Sequence, residues 1–307
     1  MTVHASTSPA SGDRHPASTT HSHGRWPWHS LGTMGVSPFG GEPLHFLGGK
    51  SMSSQSTLQK AEVSAWQVES LRSTAFPTPQ AAQVDAGDWW EKLIGKVPEN
   101  RITRAREAFL QDEGHIGNGK LVMSVQPARI DWLYTVDRDA TPDKWWIGPF
   151  ADAADLFLGL MSRWFDVCPP SQRLAFGAVL KLPAPDRLTG YQMLSTYLHD
   201  VTLDPEGSSD LLYQINRPRK SRTGIPELAI NRLSKWAVAR LGVGSIAIAP
   251  DTRSQFFPAS VTFACRLELD INTAADLKDE IPKDRYMEVF REFVDLAREM
   301  LSRGDIP

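Results

Sequence analysis

The most concentrated set of polar side chains in this sequence follows a short strand-like stretch. This basic segment carries four cations within six positions and reads Asn216-Arg217-Pro218-Arg219-Lys220-Ser221-Arg222. Guanidinium forks and a lysine ammonium could bind the phosphates of a nucleotide or nucleic acid, or the carboxylates of a protein partner. Runs of charge are more often solvated surface, so a solvated hairpin tip is the alternative interpretation.

A second asparagine–arginine pair, Asn231-Arg232, follows shortly after the basic segment. If the two strands that carry these pairs are antiparallel neighbours, the pairs would form one two-sided polar site. Arg129 would join Arg217 and Arg232 in a pocket only if the two halves of the chain close around a groove. The predicted binding residues are therefore Arg129, Asn216, Arg217, Arg219, Lys220, Arg222, Asn231 and Arg232.

Signals for a catalytic nucleophile are weak. Ser195 and His199 lie four positions apart on a predicted helix and could share a face. The adjacent Asp200 points about 100° away around the helix, so it cannot readily orient that imidazole, and no strained Gly-x-Ser-x-Gly turn is present. His115 has no second ligand nearby in the sequence. Both histidines are more typical of surface residues. We predict no metal site and no cofactor, and the sequence leaves open which residues, if any, are catalytic, because enzymes can assemble sites from distant segments.

Composition limits the classes of function. The chain has 307 residues, 41% apolar and 22% charged, with a net charge of −3. This balance gives no overall field that would concentrate the protein on nucleic acid or an acidic membrane. Two cysteines, Cys168 and Cys265, are too few for a disulfide framework. No apolar run approaches the roughly 20 residues that span a bilayer. We therefore expect a cytoplasmic protein that does not enter the membrane.

The first 51 residues differ from the rest. They hold six of the eight histidines but only two of the 36 acids. The segment has no apolar period and cannot bury enough surface to offset its ordering entropy, so we predict that residues 1–51 are disordered. Met52 follows Gly48-Gly49-Lys50-Ser51, whose codons could spell a purine-rich ribosome-binding site. Residues 1–51 could therefore be a non-native extension upstream of a natural start at Met52.

Amphipathic periodicity after residue 60 predicts two similar halves, 52–168 and 169–307. The first has a strand over 63–75, a helix over 85–94, strands over 101–112, 119–126 and 129–136, and a helix over 151–167. Asn118-Gly119 is a favourable hairpin turn. Trp132 and Trp164 lie on apolar faces and are predicted to be core. In the doublet Trp89-Trp90, one ring is expected to be buried and the other partly exposed.

The second half repeats this order, with a strand over 172–182, a helix over 187–198, strands over 210–217 and 259–271, and a helix over 284–302. The segment 227–240 could be a helix, since Pro226 precedes it and Gly242 follows it. The repeat favours a strand, which we prefer. The predicted fold class is α+β, with antiparallel sheets, helices packed on one face and two related βαβββα halves.

Two motifs carry a resemblance to a known family. They are Gln126-Pro127-Ala128-Arg129 running into Trp132, and Leu267-Glu268-Leu269-Asp270-Ile271-Asn272 before the final helix. Over residues 62–303 the sequence resembles a sporadically distributed, uncharacterised bacterial family of domain size, about 260 residues. It departs from that family at Ile130, usually aromatic, and at Asn272, often an acid. The resemblance implies a fold and a bacterial setting, but no catalytic residue.

These observations favour a non-enzymatic binding protein that presents a polar sheet face and the basic segment, most simply to a protein partner. An enzyme or nucleotide-binding protein with its site between the halves is the first alternative. A nucleic-acid-binding protein that uses the basic segment is the second, and it predicts affinity that falls steeply with salt. Assembly of the chain with itself is compatible with all three.

Overall fold

The structure, a computed structural model, describes residues 60–79, 86–247, 255–277 and 280–307. The expectations for residues 1–51 lie outside these ranges. The described strands are β1 Gln67–Pro77, β2 Asn100–Arg104, β3 Phe109–Ile116, β4 Gly119–Gln126, β5 Arg129–Thr135, β6 Gly148–Pro149, β7 Ser171–Ala184, β8 Leu212–Asn216, β9 Arg219–Lys220, β10 Ala229–Ala247 and β11 Gln255–Thr273. The described helices are α1 Trp89–Ile94, α2 Phe150–Val167, α3 Arg187–Ser195 and α4 Tyr286–Arg303.

The described strands form one antiparallel sheet in the order β2-β3-β4-β5-β1-β7-β11-β10-β8, with β6 beside β1 and β9 beside β10. β1 and β7 pair at its middle, where Arg72 lies opposite Gly177. Outward from this pair the order is β1-β5-β4-β3 on one side and β7-β11-β10-β8 on the other. The predicted α+β class is confirmed.

The helices pack on one face of the sheet because that face is apolar. The ring of Trp132 in β5 stacks on Trp90 of α1 at 6.0 Å and contacts Trp164 of α2 at 5.6 Å. The register aligns Trp132 with Ser73 and Ser73 with Phe176, whose ring meets Phe290 of α4 at 5.7 Å. Trp132 and Trp164 are fully buried, so their predicted core role is confirmed.

α3 packs on the same face at the other end of the sheet. Gly190 allows this contact, because a Cβ atom there would lie 2.9 Å from Val238 of β10. Val238 is the cross-strand partner of Cys265, which belongs to the same apolar face as Leu267 and Ile271. The single sheet face therefore supports all four described helices.

The contested segment 227–240 forms most of β10, and the predicted strand is confirmed. Its inward positions, Ile230, Arg232, Ser234 and Trp236, are buried with a period of two. β11 pairs along one edge of the segment, and β8 and β9 pair along the other. Two inward positions are polar, which explains why hydrophobicity alone left the choice open.

Several local predictions were wrong. The strand over 101–112 is two strands, because a short 3₁₀ turn ends at Ala108 with φ +47°. The hairpin turn is Gly117-Asn118, with φ +54° at Gly117. Gly119 instead starts β4, where a Cβ atom would lie 2.7 Å from Ile147. Trp89 and Trp90 are both buried, so the doublet exposes neither ring.

Candidate functional site

The sheet face opposite the helices is polar, and its central side chains are partly or fully buried. We call this surface the polar face. Alternation along the strands and the register between them place the following residues on it: Arg72 and Thr74 of β1, Arg129 and Asp131 of β5, Arg173 and Gly177 of β7, Asp270 and Asn272 of β11, Asn231 of β10 and Asn216 of β8.

One carboxylate organises the β5 side of the polar face. Asp131, 9% exposed, accepts two hydrogen bonds from Arg129, at 2.5 and 2.9 Å. The hydroxyl of Thr74 on the next strand donates to the same carboxylate at 2.5 Å. The Nε atom of Arg72 lies 3.9 Å from it. These bonds hold Asp131 and Arg129 together in a two-bond, forked arginine–carboxylate pair.

The residue at the middle of the polar face has no side chain. Gly177 lies between Arg72 and Asp270 in the register. The atoms nearest to a Cβ at Gly177 would be guanidinium nitrogens of Arg72, at 3.5 and 3.6 Å, so the arginine lies over the glycine. Burial lowers the pKa of Arg72, while Asp131 and Asp270 oppose this shift. Asp270 therefore helps to hold a partly desolvated cation at the centre.

A row of amides continues the polar face toward its other edge. The Asn272 side chain accepts from Arg173 at 3.3 Å and from Asn231 at 3.1 Å, and donates to Asp270 at 2.9 Å. Asn231 in turn accepts from Asn216 at 3.1 Å. Burial also lowers the pKa of Arg173. The row connects four strands, from β7 to β8, by side-chain hydrogen bonds.

The condition set for Asn216-Arg217 and Asn231-Arg232 to adjoin holds, since β8 and β10 are antiparallel neighbours. The side chains of the two asparagines lie on the polar face, and those of the two arginines lie on the opposite face of the sheet, where the helices pack. There the Nε atom of Arg232 donates to the Arg217 carbonyl at 2.8 Å. Arg232 is 3% exposed, and burial lowers its pKa. The two-sided site therefore separates amide and guanidinium groups onto opposite faces.

The cations of the basic segment are held by carboxylates near the C-terminus. Arg217 donates two hydrogen bonds to Asp305, at 2.8 and 2.9 Å. Arg219 and Arg222 both contact Glu299 of α4, at 3.1 and 3.0 Å. Lys220 is exposed. The basic segment therefore docks on the C-terminal part of the chain through three of its four cations.

A buried glutamate holds the loop after these cations. Glu292 of α4, 7% exposed, accepts from the Ser221 hydroxyl at 2.6 Å and from the Arg222 backbone at 2.8 Å. These bonds satisfy both carboxylate oxygens of Glu292 and give the loop a fixed conformation. The sequence did not identify Glu292, Glu299 or Asp305 as partners of the segment, because each lies about 70 to 90 positions away.

Arg129 does not lie near Arg217 and Arg232. β5 and β10 are separated by β1, β7 and β11, so four strand spacings of about 4.8 Å put the two strands about 19 Å apart. Arg129 also lies on the polar face, whereas Arg232 lies on the helix side. The three arginines therefore line no common pocket.

The serine–histidine candidates do not form a catalytic pair. Ser195 is the last residue of α3 and donates to the Gln192 carbonyl at 2.7 Å. His199 lies 2.9 Å from the amine of Lys60. His115 is different, since its ring nitrogens contact Glu99 at 2.7 Å and Asp137 at 2.6 Å. These hydrogen bonds raise the pKa of His115, and the ring forms a clamp that bridges the two acids.

Both motifs of the family resemblance contribute to the polar face. Arg129 and Asp131 come from the first motif and its continuation, and Asp270 and Asn272 come from the second. Sequence reasoning identified Arg129, Asn216 and Asn231 but missed the other members. The available signal was the alternation of Arg72 and Thr74 in β1, but the register that joins them to β5, β7 and β11 is non-local.

No protein-family model matches the chain, and comparisons with curated proteins and with solved structures found no significant match.

Among the described residues, no cluster of three or more His, Cys, Asp or Glu side chains could hold a metal ion. No helix in the described ranges is long and apolar enough to cross a membrane. Burial raises the pKa values of the free thiols of Cys168 and Cys265 to about 12.

Proposed function

We propose that the chain is a binding protein whose polar face recognises a protein partner through acidic groups of that partner. The observation that carries this proposal is the connected set of arginine, aspartate and asparagine side chains on the polar face. Three guanidinium groups, from Arg72, Arg129 and Arg173, share two carboxylates, Asp131 and Asp270, at its centre. Guanidinium groups of this kind hydrogen-bond carboxylates, so the polar face can recognise an acidic surface.

Burying these charged side chains destabilises the folded protein, so a role in folding alone does not explain them. Desolvated charges destabilise a protein unless they are fully paired, and apolar residues of the same size often replace them without loss. Asp270 and Asn272 are 7% and 6% exposed, although all four described helices pack on the other face. A preorganised polar surface of this kind is typical of recognition sites, where fixed side chains lose little entropy on binding.

The first alternative, an enzyme or nucleotide-binding protein, would be favoured by a pocket in which Arg129, Arg217 and Arg232 converge with an acid. Their positions on opposite faces, about four strands apart, weigh against that site. The second alternative required cations of the basic segment to be accessible to phosphates. Three of them are engaged by Asp305 and Glu299, so nucleic acid would have to displace these carboxylates.

We also propose that the chain is cytoplasmic, that it belongs to the bacterial family that it resembles, and that its halves arose by duplication. The duplication is supported by the mirrored strand order on the two sides of the β1–β7 pair and by the long helix that ends each half. Superposition of residues 60–168 on 169–307 tests it, since duplicated halves would superpose with β1 on β7, β5 on β11 and α2 on α4.

The binding proposal is tested by comparing variants of the full chain. Proteins captured from the organism's lysate are identified by mass spectrometry, and the affinity of each purified candidate is measured by calorimetry. The double variant Arg72→Gln/Arg173→Gln removes two polar-face charges. It is expected to weaken binding by roughly tenfold or more, equivalent to about 1.4 kcal/mol. The matched control, Arg106→Gln/Lys283→Gln, removes two exposed cations elsewhere and is expected to bind like the wild type.

A second variant tests the same proposal without removing a buried charge, in case the double variant misfolds. Gln214, exposed on the polar face opposite Lys235, becomes an acid of the same size in Gln214→Glu. Repulsion of an acidic partner is expected to weaken binding without loss of stability. Unchanged affinity in both polar-face variants would refute the proposal. Salt-dependent nucleic-acid binding that disappears in Arg219→Ala/Arg222→Ala would favour the second alternative instead.

A further inference from the structure

The outer face of α2 borders a groove that the polar face does not explain. The groove has a volume of about 690 Å³ and lies between α2, the residues after α1 and the end of β3. Ile94, Ile116, Leu156 and Leu160 give it an apolar lining, and Leu156 is 38% exposed. Apolar side chains in an open groove with a charged rim are typical of a protein contact surface.

Gly159 lies in the middle of α2 and lines this groove. It is exposed, and a Cβ atom added there would have no neighbour within 4 Å. Glycine destabilises a helix interior relative to alanine, because its unfolded backbone has more freedom to lose. No contact within the described residues requires this glycine. Its absent side chain does allow another helix to approach the α2 backbone closely.

The charges on either side of Gly159 are self-complementary. Asp155 and Arg163 each lie four positions from the glycine, in opposite directions, and both line the groove. Asp155 contacts Arg298 through one oxygen, at 3.1 Å, and remains 74% exposed. Arg163 forms no hydrogen bond or ion pair with any residue that the structure describes. A two-fold axis at Gly159 would therefore bring each Asp155 to the Arg163 of a second copy.

We propose that two copies of this chain associate through this surface, with their α2 helices antiparallel and crossing at Gly159. The contact is isologous, so it contains two equivalent Asp155–Arg163 pairs. Leu156 of each copy packs into the groove of the other. Charge symmetry favours a second copy over an unlike partner, because an unlike partner would not need both signs placed equally about the glycine.

The crossing angle also follows from the charges. Asp152 and Asp166 each lie seven positions from Gly159, in opposite directions. If the two antiparallel helices lay side by side without crossing, Asp152 of one copy would lie opposite Asp166 of the other, and the two negative charges would repel each other. A crossing near 50°, common for closely packed helices, separates positions about 10 Å from the crossing point while leaving the nearer Asp155 and Arg163 within reach. The expected dimer is therefore a crossed helix pair rather than a coiled coil.

Sedimentation velocity and light scattering on the full-length chain test this proposal. The wild type is expected to dimerise in a concentration-dependent manner. Arg163→Asp and Asp155→Arg each place like charges across the axis, and each is expected to raise the dissociation constant by roughly tenfold or more. An equimolar mixture of the two variants restores both opposite-charge pairs, so it is expected to form a heterodimer. Arg106→Asp, in the 3₁₀ turn between β2 and β3, is the matched control and is expected to keep the wild-type dimer.

Gly159→Leu provides an independent test, because a Cβ atom at this position meets no neighbour in the monomer, whereas the leucine side chain would block the helix crossing. It is expected to remain folded, by circular dichroism, and monomeric. A wild type that stays monomeric at all accessible concentrations would overturn the proposal. So would a dimer that persists in Gly159→Leu, or a mixture of the two charge variants that remains monomeric. Capture of an unlike protein that Arg163→Asp releases would assign the groove to that partner instead.

Discussion

Asp305 follows the end of α4 and holds the basic segment against the body of the protein. Its carboxylate accepts two hydrogen bonds from Arg217, at 2.8 and 2.9 Å, and one from the Tyr213 hydroxyl at 2.7 Å. The Asp305 side chain is 6% exposed and that of Arg217 is 21% exposed. Replacement with asparagine keeps the shape of the side chain and removes its charge.

The expected cost of Asp305→Asn follows from these contacts. Loss of one member of a buried ion pair costs about 3 to 5 kcal/mol, because the remaining charge is left uncompensated. Arg217 retains some contact with solvent, and the asparagine oxygen still accepts one bond, so the expected loss is about 2 to 3 kcal/mol. For a protein of this size, that loss corresponds to a fall in Tm of roughly 5 to 10 °C.

The pH dependence gives this prediction a second readout. Burial raises the pKa of Asp305, but hydrogen bonds from Arg217 and Tyr213 outweigh that effect and leave it below its ordinary value of 3.8. A carboxyl group with a lowered pKa contributes its full stability above the unfolded value and loses it as the pH falls through the folded value. The stability gap between wild type and Asp305→Asn is therefore expected to be constant from pH 7 to 5 and to narrow below pH 4.

Urea unfolding followed by tryptophan fluorescence measures both effects. Asp295→Asn is the matched control, since Asp295 is 58% exposed and pairs with Arg298 within α4. Exposed pairs of that spacing contribute only about 0.5 kcal/mol. The reasoning would be refuted by an Asp305→Asn variant as stable as this control, or by a stability gap that is still undiminished at pH 3.

Three further predictions concern other parts of the fold. Gly304→Ala is expected to lower the free energy of unfolding, measured in urea, by at least about 2 kcal/mol. The residue has φ +82°, and a Cβ there would lie 2.1 Å from the Tyr197 carbonyl oxygen. A variant as stable as the wild type would contradict this. His115 is expected to titrate above 6.5 in NMR spectra, with Glu99→Gln lowering its midpoint, since the hydrogen bond to Glu99 raises its pKa. The stability from this contact is full below pH 6.5 and is lost as the pH rises through the folded pKa, so a midpoint unaffected by Glu99→Gln would contradict the clamp. Trp132→Ala is expected to cost about 3 to 5 kcal/mol in thermal or urea unfolding, and a loss below 1 kcal/mol would show that its ring is not core.

Much of the fold could be predicted because its elements are strongly amphipathic. The strand over 119–126 matches β4, and the helix over 284–302 matches α4 within two residues. Boundaries were missed where one residue controls the backbone, as at Ala108, whose positive φ divides the predicted strand over 101–112. The sequence gives no sign that an alanine would adopt this conformation.

The polar face could be predicted only in part, because its members become neighbours through strand register. Asp131 meets Thr74 from 57 positions away, and Arg173 meets Asn272 from 99 positions away. Each lies at an outward position of its strand, where a polar residue is the ordinary choice and carries no distinguishing signal. The basic segment was conspicuous because its charges are consecutive, yet its partners Glu299 and Asp305 are also remote in sequence.

The central position of β1 has a consequence for the order in which the protein is made. β1 pairs with β5 and β6 within the first half, but its other edge has no partner until β7, about one hundred residues later, has been synthesised. Until the ribosome has released that strand, the nascent first half has a long unsatisfied edge, which is a site for pairing with other chains. Arg72 lies near the middle of this edge and discourages such pairing by its charge.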